Sequence, residues 1–388
     1  MKKFKDNYPV LKQCVYLDTA ATMQKHISVI DAVSSFSKQA YANIHRGVYP
    51  LSIAATSAFE ATRKTVAELL SADTSEIIFT KSATEGLNLL ANSVLPLLKG
   101  KEIVLSISEH HANFVPWQKL ASTNGFSLKI IPVKDDLSID YDKAASLITK
   151  DTALIAITHM SNVTGHITDI SFFRDISKEH DSLLILDASQ SIAHTKVSAD
   201  MADFIVFSSH KIGGPSGVGI LYGSKNYLTK MAPYQVGGDM VLSVSINETL
   251  FQETPYKFEA GTQNIEGVVG LGKAINLMQS LSYEKIQEHD NDLTKYAIEK
   301  LSSFENVTVY GGHNGIVSFT VKGIHAHDVA QLFADKGVCV RGGHMCSMPL
   351  LNELLVPAVV RMSFWYYTTK DDIDKAIVAL QHAIKVFS

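Results

Sequence analysis

From residue 76 to residue 207, short apolar runs alternate with stretches of helical spacing. The runs at 76–80, 102–107, 126–133, 153–157, 183–186 and 204–207 are rich in Ile, Val, Leu and Phe, as buried strands are. A second apolar strand follows the glycines Gly213, Gly214, Gly217 and Gly219. Helical spacing marks residues 28–42, 52–70, 82–92, 140–148 and 170–179. This alternation predicts an α/β domain: a mostly parallel sheet, helices on both faces, and a ligand crevice at the strand C-termini. Beyond Gly261 the pattern changes. Long amphipathic helices are predicted at 265–281 and 283–301, strands at 306–310, 315–321, 338–340 and 359–364, and helices at 326–336 and 371–387. These make a smaller α+β domain. The polar turn from Glu259 to Asn264 sets the boundary: a large domain over 16–263 and a small one over 264–388, with residues 1–15 packing near the latter.

The predicted strands end in polar clusters. After 204–207 come Ser208, Ser209, His210 and Lys211, set among glycines. A desolvated lysine amine loses its charge and becomes a nucleophile able to form an imine. The alternative is a glycine-rich hairpin carrying a solvated lysine. Asp187 ends the apolar run 183–186 and needs a partner there. A pyridinium nitrogen or the start of the next helix would satisfy it. Ser82 and Thr84 stand at a helix start whose free N–H groups bind phosphate or simply accept a cap. His110 and His111 follow the strand at 102–107. Adjacent histidines rarely point at one ion and no ligand spacing surrounds them, so no metal is expected. His110 suits stacking on an aromatic ligand, or a structural role. Asn162 follows the strand at 153–157. One crevice at the strand ends would collect all of these.

Composition narrows the class. The 388 residues are 46% hydrophobic and 19% charged, with a net charge of −4. That is a globular chain without the basic stripe of a nucleic-acid binder. No apolar run is long enough to span a membrane. The start lacks the apolar core of a signal peptide. Three cysteines, Cys14, Cys339 and Cys346, are too few and odd for a disulfide framework. They point to a reducing, cytoplasmic setting.

Nearly the whole chain resembles the class V aminotransferase-fold enzymes dependent on pyridoxal 5'-phosphate (PLP), specifically the group II, SufS-like cysteine desulfurases. The resemblance rests on Leu17-Asp-Thr-Ala-Ala21, Asn43-Ile-His-Arg-Gly47, Ala83-Thr-Glu-Gly-Leu-Asn88, Glu109-His-His-Ala-Asn113 and Thr158-His-Met-Ser-Asn-Val163. It continues in Asp187-Ala-Ser-Gln190, Ser208-Ser-His-Lys211, Phe258-Glu-Ala-Gly-Thr262 and the stretch from Arg341 to Leu350. It implies the aspartate aminotransferase-like fold type I. Lys211 would then carry PLP, Asp187 would pair with its ring nitrogen, Gln190 would contact its phenolic oxygen and His110 would stack on it. Thr84, Ser208 and His210 would hold the phosphate. Thr262 would reach the phosphate of a neighbouring subunit, which implies a homodimer. Asn162 and Arg361 would hold the substrate carboxylate, with His45, Arg46 and Arg341 at the mouth.

Cys346 would be the nucleophile that takes sulfur from L-cysteine, leaving L-alanine and a persulfide. The glycines, His344 and Arg341 around it fit a reactive thiol better than a buried structural one. A SufE- or SufU-like acceptor serving iron–sulfur cluster assembly would receive the sulfur. The same resemblance admits a selenocysteine lyase acting on L-selenocysteine, another PLP enzyme of this fold, or a silent member acting as a binding partner. The cysteine motif departs from many relatives at Gly342, where threonine is common, and at Met345, where a second histidine is common.

Overall fold

The computed structural model describes residues 2–387. Seven strands form the large sheet: Ile77–Thr80 (β1), Glu102–Ser106 (β2), Ser127–Ile131 (β3), Thr152–Thr158 (β4), Leu183–Asp187 (β5), Phe204–Ser208 (β6) and Gly219–Gly223 (β7). Their spatial order is β1-β7-β6-β5-β4-β2-β3. Only β7 runs antiparallel to its neighbours, β1 and β6. Strands β4, β5 and β6 are buried at every position. Both of their faces are covered, which is why they read as unbroken apolar runs. The chain leaves β2 for the edge strand β3 and returns to the other side of β2 as β4. Such reversals open a crevice at the strand C-termini.

The small sheet holds Val307–His313 (β8), Ile316–Val321 (β9), Arg341–Gly343 (β10) and Val359–Ser363 (β11), in the order β8-β9-β11-β10. Helices Tyr283–Leu301, Ala326–Asp335 and Lys370–Phe387 contribute the rest of its core. β10 was not expected: Arg341 reads as loop, yet it pairs across from Arg361 on β11. The Gly342 departure has a steric reason here. A Cβ on it would stand 2.6 Å from the carbonyl oxygen of Ala326, so only glycine lets β10 lie so close to that helix.

The expected boundary at residue 264 needs correction. Helix Ile265–Gln279 packs on helices Ile27–Gln39 and Pro50–Leu70. Ile265, Val268, Leu271 and Ile275 are buried in the large core, not the small one. We place the division after this helix. The N-terminal segment bridges both parts: Tyr8 packs on His26 of the large part and on Tyr367 of the small one, the Ile27 N–H donates to the Asn7 carbonyl at 2.8 Å, Lys5 pairs with Asp372 at 2.6 Å, and Val15–Tyr16 pairs with Val338–Cys339. An exposed hairpin, Val241–Val244 with Thr249–Phe251, was also unexpected. Among the described residues no helix is long and apolar enough to cross a membrane.

Candidate active site

Five strand ends meet small-domain residues around a cavity of about 190 Å³. Ser82 and Thr84 follow β1, His110 follows β2, Thr158 and Asn162 end β4, Asp187 and Gln190 end β5, and Ser208, His210 and Lys211 end β6. Arg341 and Arg361 close the other side. Ser82 caps helix Ala83–Ser93 by accepting from the Glu85 N–H at 3.2 Å. The Ala83 N–H of the same first turn donates to Ser208 Oγ at 2.8 Å. That helix start fits against β7 because residue 219 is glycine: a Cβ there would stand 2.3 Å from the Ser82 backbone.

Lys211 Nζ donates to the Ala20 carbonyl at 2.5 Å, and Gln190 Nε2 donates to the same oxygen at 2.9 Å. Burial, then the charge of Arg361, lowers the Lys211 pKa to about 7. Asp187 is buried, with Oδ1 accepting from the Ser189 N–H at 2.9 Å. Burial raises its pKa, because among the described residues no cation forms a salt bridge with it. His110 Nδ1 accepts from the Ala112 N–H at 3.0 Å. Burial, then the nearby Lys211, lowers its pKa to about 3, so the ring is neutral. His210 Nδ1 lies 3.2 Å from Thr22 Oγ1, and burial lowers its pKa to about 4.

Glu109 lies behind His110 and ties β2 to β4. It accepts from Ser106 Oγ at 2.5 Å, the Thr158 N–H at 2.9 Å and Asn113 Nδ2 at 2.7 Å. Arg361 is buried; Nη1 donates to the Asn162 carbonyl and Nη2 to Asp18 Oδ1, both at 2.9 Å. Its Nε has no partner among the described residues. A buried unpaired donor beside a cavity suits an incoming carboxylate.

The Cys346 loop covers one side of this cavity, with Met345 on the lining. Arg341 Nη2 lies 3.7 Å from Cys346 Sγ and places a positive charge beside the sulfur. The Asn162 side chain reaches the loop rather than open space. Nδ2 donates to the Met345 carbonyl at 2.7 Å, and Oδ1 accepts from Ser347 Oγ at 3.1 Å.

Three expected residues lie elsewhere. Thr262 lines a separate groove of about 380 Å³ with Lys81, Glu85 and Gln235. His45 Nε2 pairs with Glu60 Oε1 at 3.0 Å, and Arg46 Nε with Asp239 Oδ1 at 2.8 Å. Neither lines the cavity within this chain, because the Asn43-to-Gly47 turn packs beside helix Pro50–Leu70 instead. Sequence reasoning missed Asp18, His111 and Ser347. Asp18 stood inside a quoted motif, but its tie to Arg361 spans 343 positions and has no local signature.

The Aminotransferase class-V family profile matches residues 15–376. The chain belongs to that family, whose enzymes use PLP. It is 38% identical to a probable cysteine desulfurase of Halalkalibacterium halodurans, over 99% of this chain and 98% of that one. It is 39% identical to a cysteine desulfurase of Pectobacterium carotovorum, over 94% and 92%. Among solved structures it superposes on the cysteine desulfurase CsdA of Escherichia coli with a TM-score of 0.94 at 32% identity, covering 100% of this chain and 99% of that one. An apo cysteine desulfurase of Thermococcus onnurineus gives 0.96 at 34%, covering 99% and 98%.

The residues fit PLP. A buried carboxylate with no salt-bridge partner among the described residues suits a protonated ring nitrogen, and a lysine whose pKa is lowered to about 7 suits a carbonyl carbon. Ser208, His210 and a helix start with free N–H groups suit a phosphate.

Proposed function

We infer that the chain is a PLP-dependent cysteine desulfurase. The observation that carries this reading is a cavity holding Lys211 and Asp187 with the Cys346 loop closed beside it. Lys211 would hold the cofactor covalently, Asp187 its ring nitrogen, Gln190 its phenolic oxygen, and His110 its ring face. Thr84, Ser208 and His210 would hold its phosphate. When bound, PLP acts as an electron sink for the substrate's α-carbon.

The chain's own residues do the rest. Arg361 orients L-cysteine through its carboxylate, using the unpaired Nε. Lys211 Nζ removes the α-proton, which an amine titrating near 7 can do at neutral pH. Cys346 Sγ attacks the substrate sulfur. An S–S bond forms and the substrate C–S bond breaks with its electron pair left on the β-carbon; a proton added there, and the α-proton returned from Lys211, complete L-alanine. The persulfide on Cys346 then passes its sulfur to an acceptor protein of the SufE or SufU kind, for iron–sulfur cluster assembly. The free cysteines are consistent with a cytoplasmic location. Thr262 is proposed for the partner's phosphate in a homodimer.

The test is to incubate the protein with PLP, L-cysteine and a reductant and to measure alanine and sulfide together. Equal amounts are expected. Cys346→Ala should retain the cofactor's visible band and its response to L-cysteine, yet release no alanine. Alanine at the wild-type rate from that variant would replace the desulfurase reading with that of a lyase acting without the thiol.

A further inference from the structure

We propose that His111 is the positioning residue that fixes Cys346 over the cavity, an inference that rests on Cys346 being the sulfur-accepting thiol. Met345 and Cys346 both adopt left-handed backbone conformations, with φ of 54° and 55°. Two consecutive non-glycine residues do not hold that geometry unaided. Something outside the loop must impose it.

His111 grips the loop at two points. Its backbone N–H donates to the Cys346 carbonyl at 2.7 Å. Its ring Nε2 accepts from the Met348 N–H at 3.1 Å. The sulfur-bearing residue is thus held by its own carbonyl and by the amide two positions on. Accepting through Nε2 requires the neutral ring with its proton on Nδ1. Burial and the neighbouring His344 favour that neutral form. His344 adds a local contact, accepting from the Cys346 N–H through Nδ1 at 3.3 Å.

The location explains why this residue matters. His110 lines the cavity and His111 does not. One peptide bond therefore joins the imidazole proposed to lie on the cofactor to the one that holds the loop. The separation between sulfur and cofactor is set through that bond. Asn162 holds the loop as well, but the family resemblance assigns its amide to the substrate carboxylate, which leaves His111 as the fixed side.

The test uses the holoenzyme. His111→Ala should keep the visible cofactor band and its change on adding L-cysteine. Alanine formation should fall by about 10²-fold, the cost of misplacing a reacting atom by about 1 Å. Cys346 should be alkylated by iodoacetamide faster than in the wild type, with Cys14 and Cys339 as internal references. His111→Gln, which keeps a side-chain acceptor, should recover most of the lost rate. Alanine formation within about twofold of wild type in His111→Ala would overturn the proposal. So would a matching loss of the spectral response to L-cysteine. Hydrogen exchange on the unmutated holoenzyme judges the same point should His111→Ala not fold. The His111 and Met348 amides, the two donors of the clamp, should exchange slowly, and exchange at the rate of an unstructured loop would refute the clamp. Absence of alanine from the wild-type protein would count against the desulfurase reading, while alkylation and exchange would still decide on the clamp.

Discussion

Burial, more than any ion pair, sets the protonation of three histidines in the large domain. His110, His210 and His159 are held neutral, with pKa values lowered to about 3, 4 and 4. An unfolded histidine takes up a proton near pH 6.5, whereas these refuse one until far lower. Between about pH 6.5 and 4 the unfolded chain therefore binds more protons, and stability falls as pH falls. His159 isolates the effect, since it lines a groove with Thr168 and Arg174 away from the cavity, and its Nδ1 is buried without a partner. His159→Leu should flatten the acid limb by up to about 1.4 kcal/mol per pH unit in that window. Urea midpoints at pH 7, 6, 5 and 4.5 measure it, and an unchanged slope would contradict the assignment. At this scale the sequence was informative where a residue's partner is local or its context is apolar. Asp187 at the tip of an apolar run and Lys211 past another were readable for that reason. Asp18 and His111 were not, because their partners, Arg361 and the Cys346 loop, lie more than two hundred positions away.

Elements are joined here by a buried ionic cluster as well as by apolar packing. Arg63, on helix Pro50–Leu70, is buried and forks onto Glu259, Nη1 to Oε1 at 2.7 Å and Nη2 to Oε2 at 2.9 Å. Glu259 Oε1 also accepts from the Phe79 N–H of β1 at 2.7 Å. The guanidinium lies over the Phe79 ring, 4.6 Å from its centroid. Helix, edge strand and the turn leading to Thr262 are thus tied at one point. Arg63→Ala should cost about 3–5 kcal/mol, since it strands a buried carboxylate. Changing Arg63 and Glu259 together to apolar residues should cost less than the two single changes summed, a comparison made by urea denaturation. A sum without coupling would mean that the pair contributes no specific stabilisation. The elements themselves followed most directly from pattern where both faces are buried, as in β4 to β6. β10, Arg341–Gly343, offers two glycines and an arginine and so carries no period. The hairpin at 241–251 is mostly exposed and has no buried side to reveal it. The polar turn before Ile265 looked like a boundary because turn chemistry marks the end of an element, not the end of a core.

At the scale of the molecule, one chain does not assemble every residue expected at the site. Thr262 lies in its own groove, and His45 and Arg46 are held by Glu60 and Asp239. Motif order along a chain cannot say which copy of the chain a residue serves, so the sequence alone left this open. The surface around these residues is apolar where a monomer's seldom is: Val48, Tyr234, Val236, Leu242, Val244 and Ile246 are all exposed. Exposed apolar side chains near Thr262 and on the neighbouring hairpin are what a second copy would cover. The protein should therefore sediment as a homodimer, and Ile246→Asp with Val244→Asp should shift it towards monomer. Thr262→Ala should leave the dimer intact but weaken cofactor retention by about 1.5–3 kcal/mol, the worth of one hydrogen bond to a charged phosphate. The two effects should converge: the monomeric variant should lose cofactor at least as readily as Thr262→Ala, and adding Thr262→Ala to it should change nothing further. Full cofactor retention in a monomer would show that Thr262 has no task across the interface.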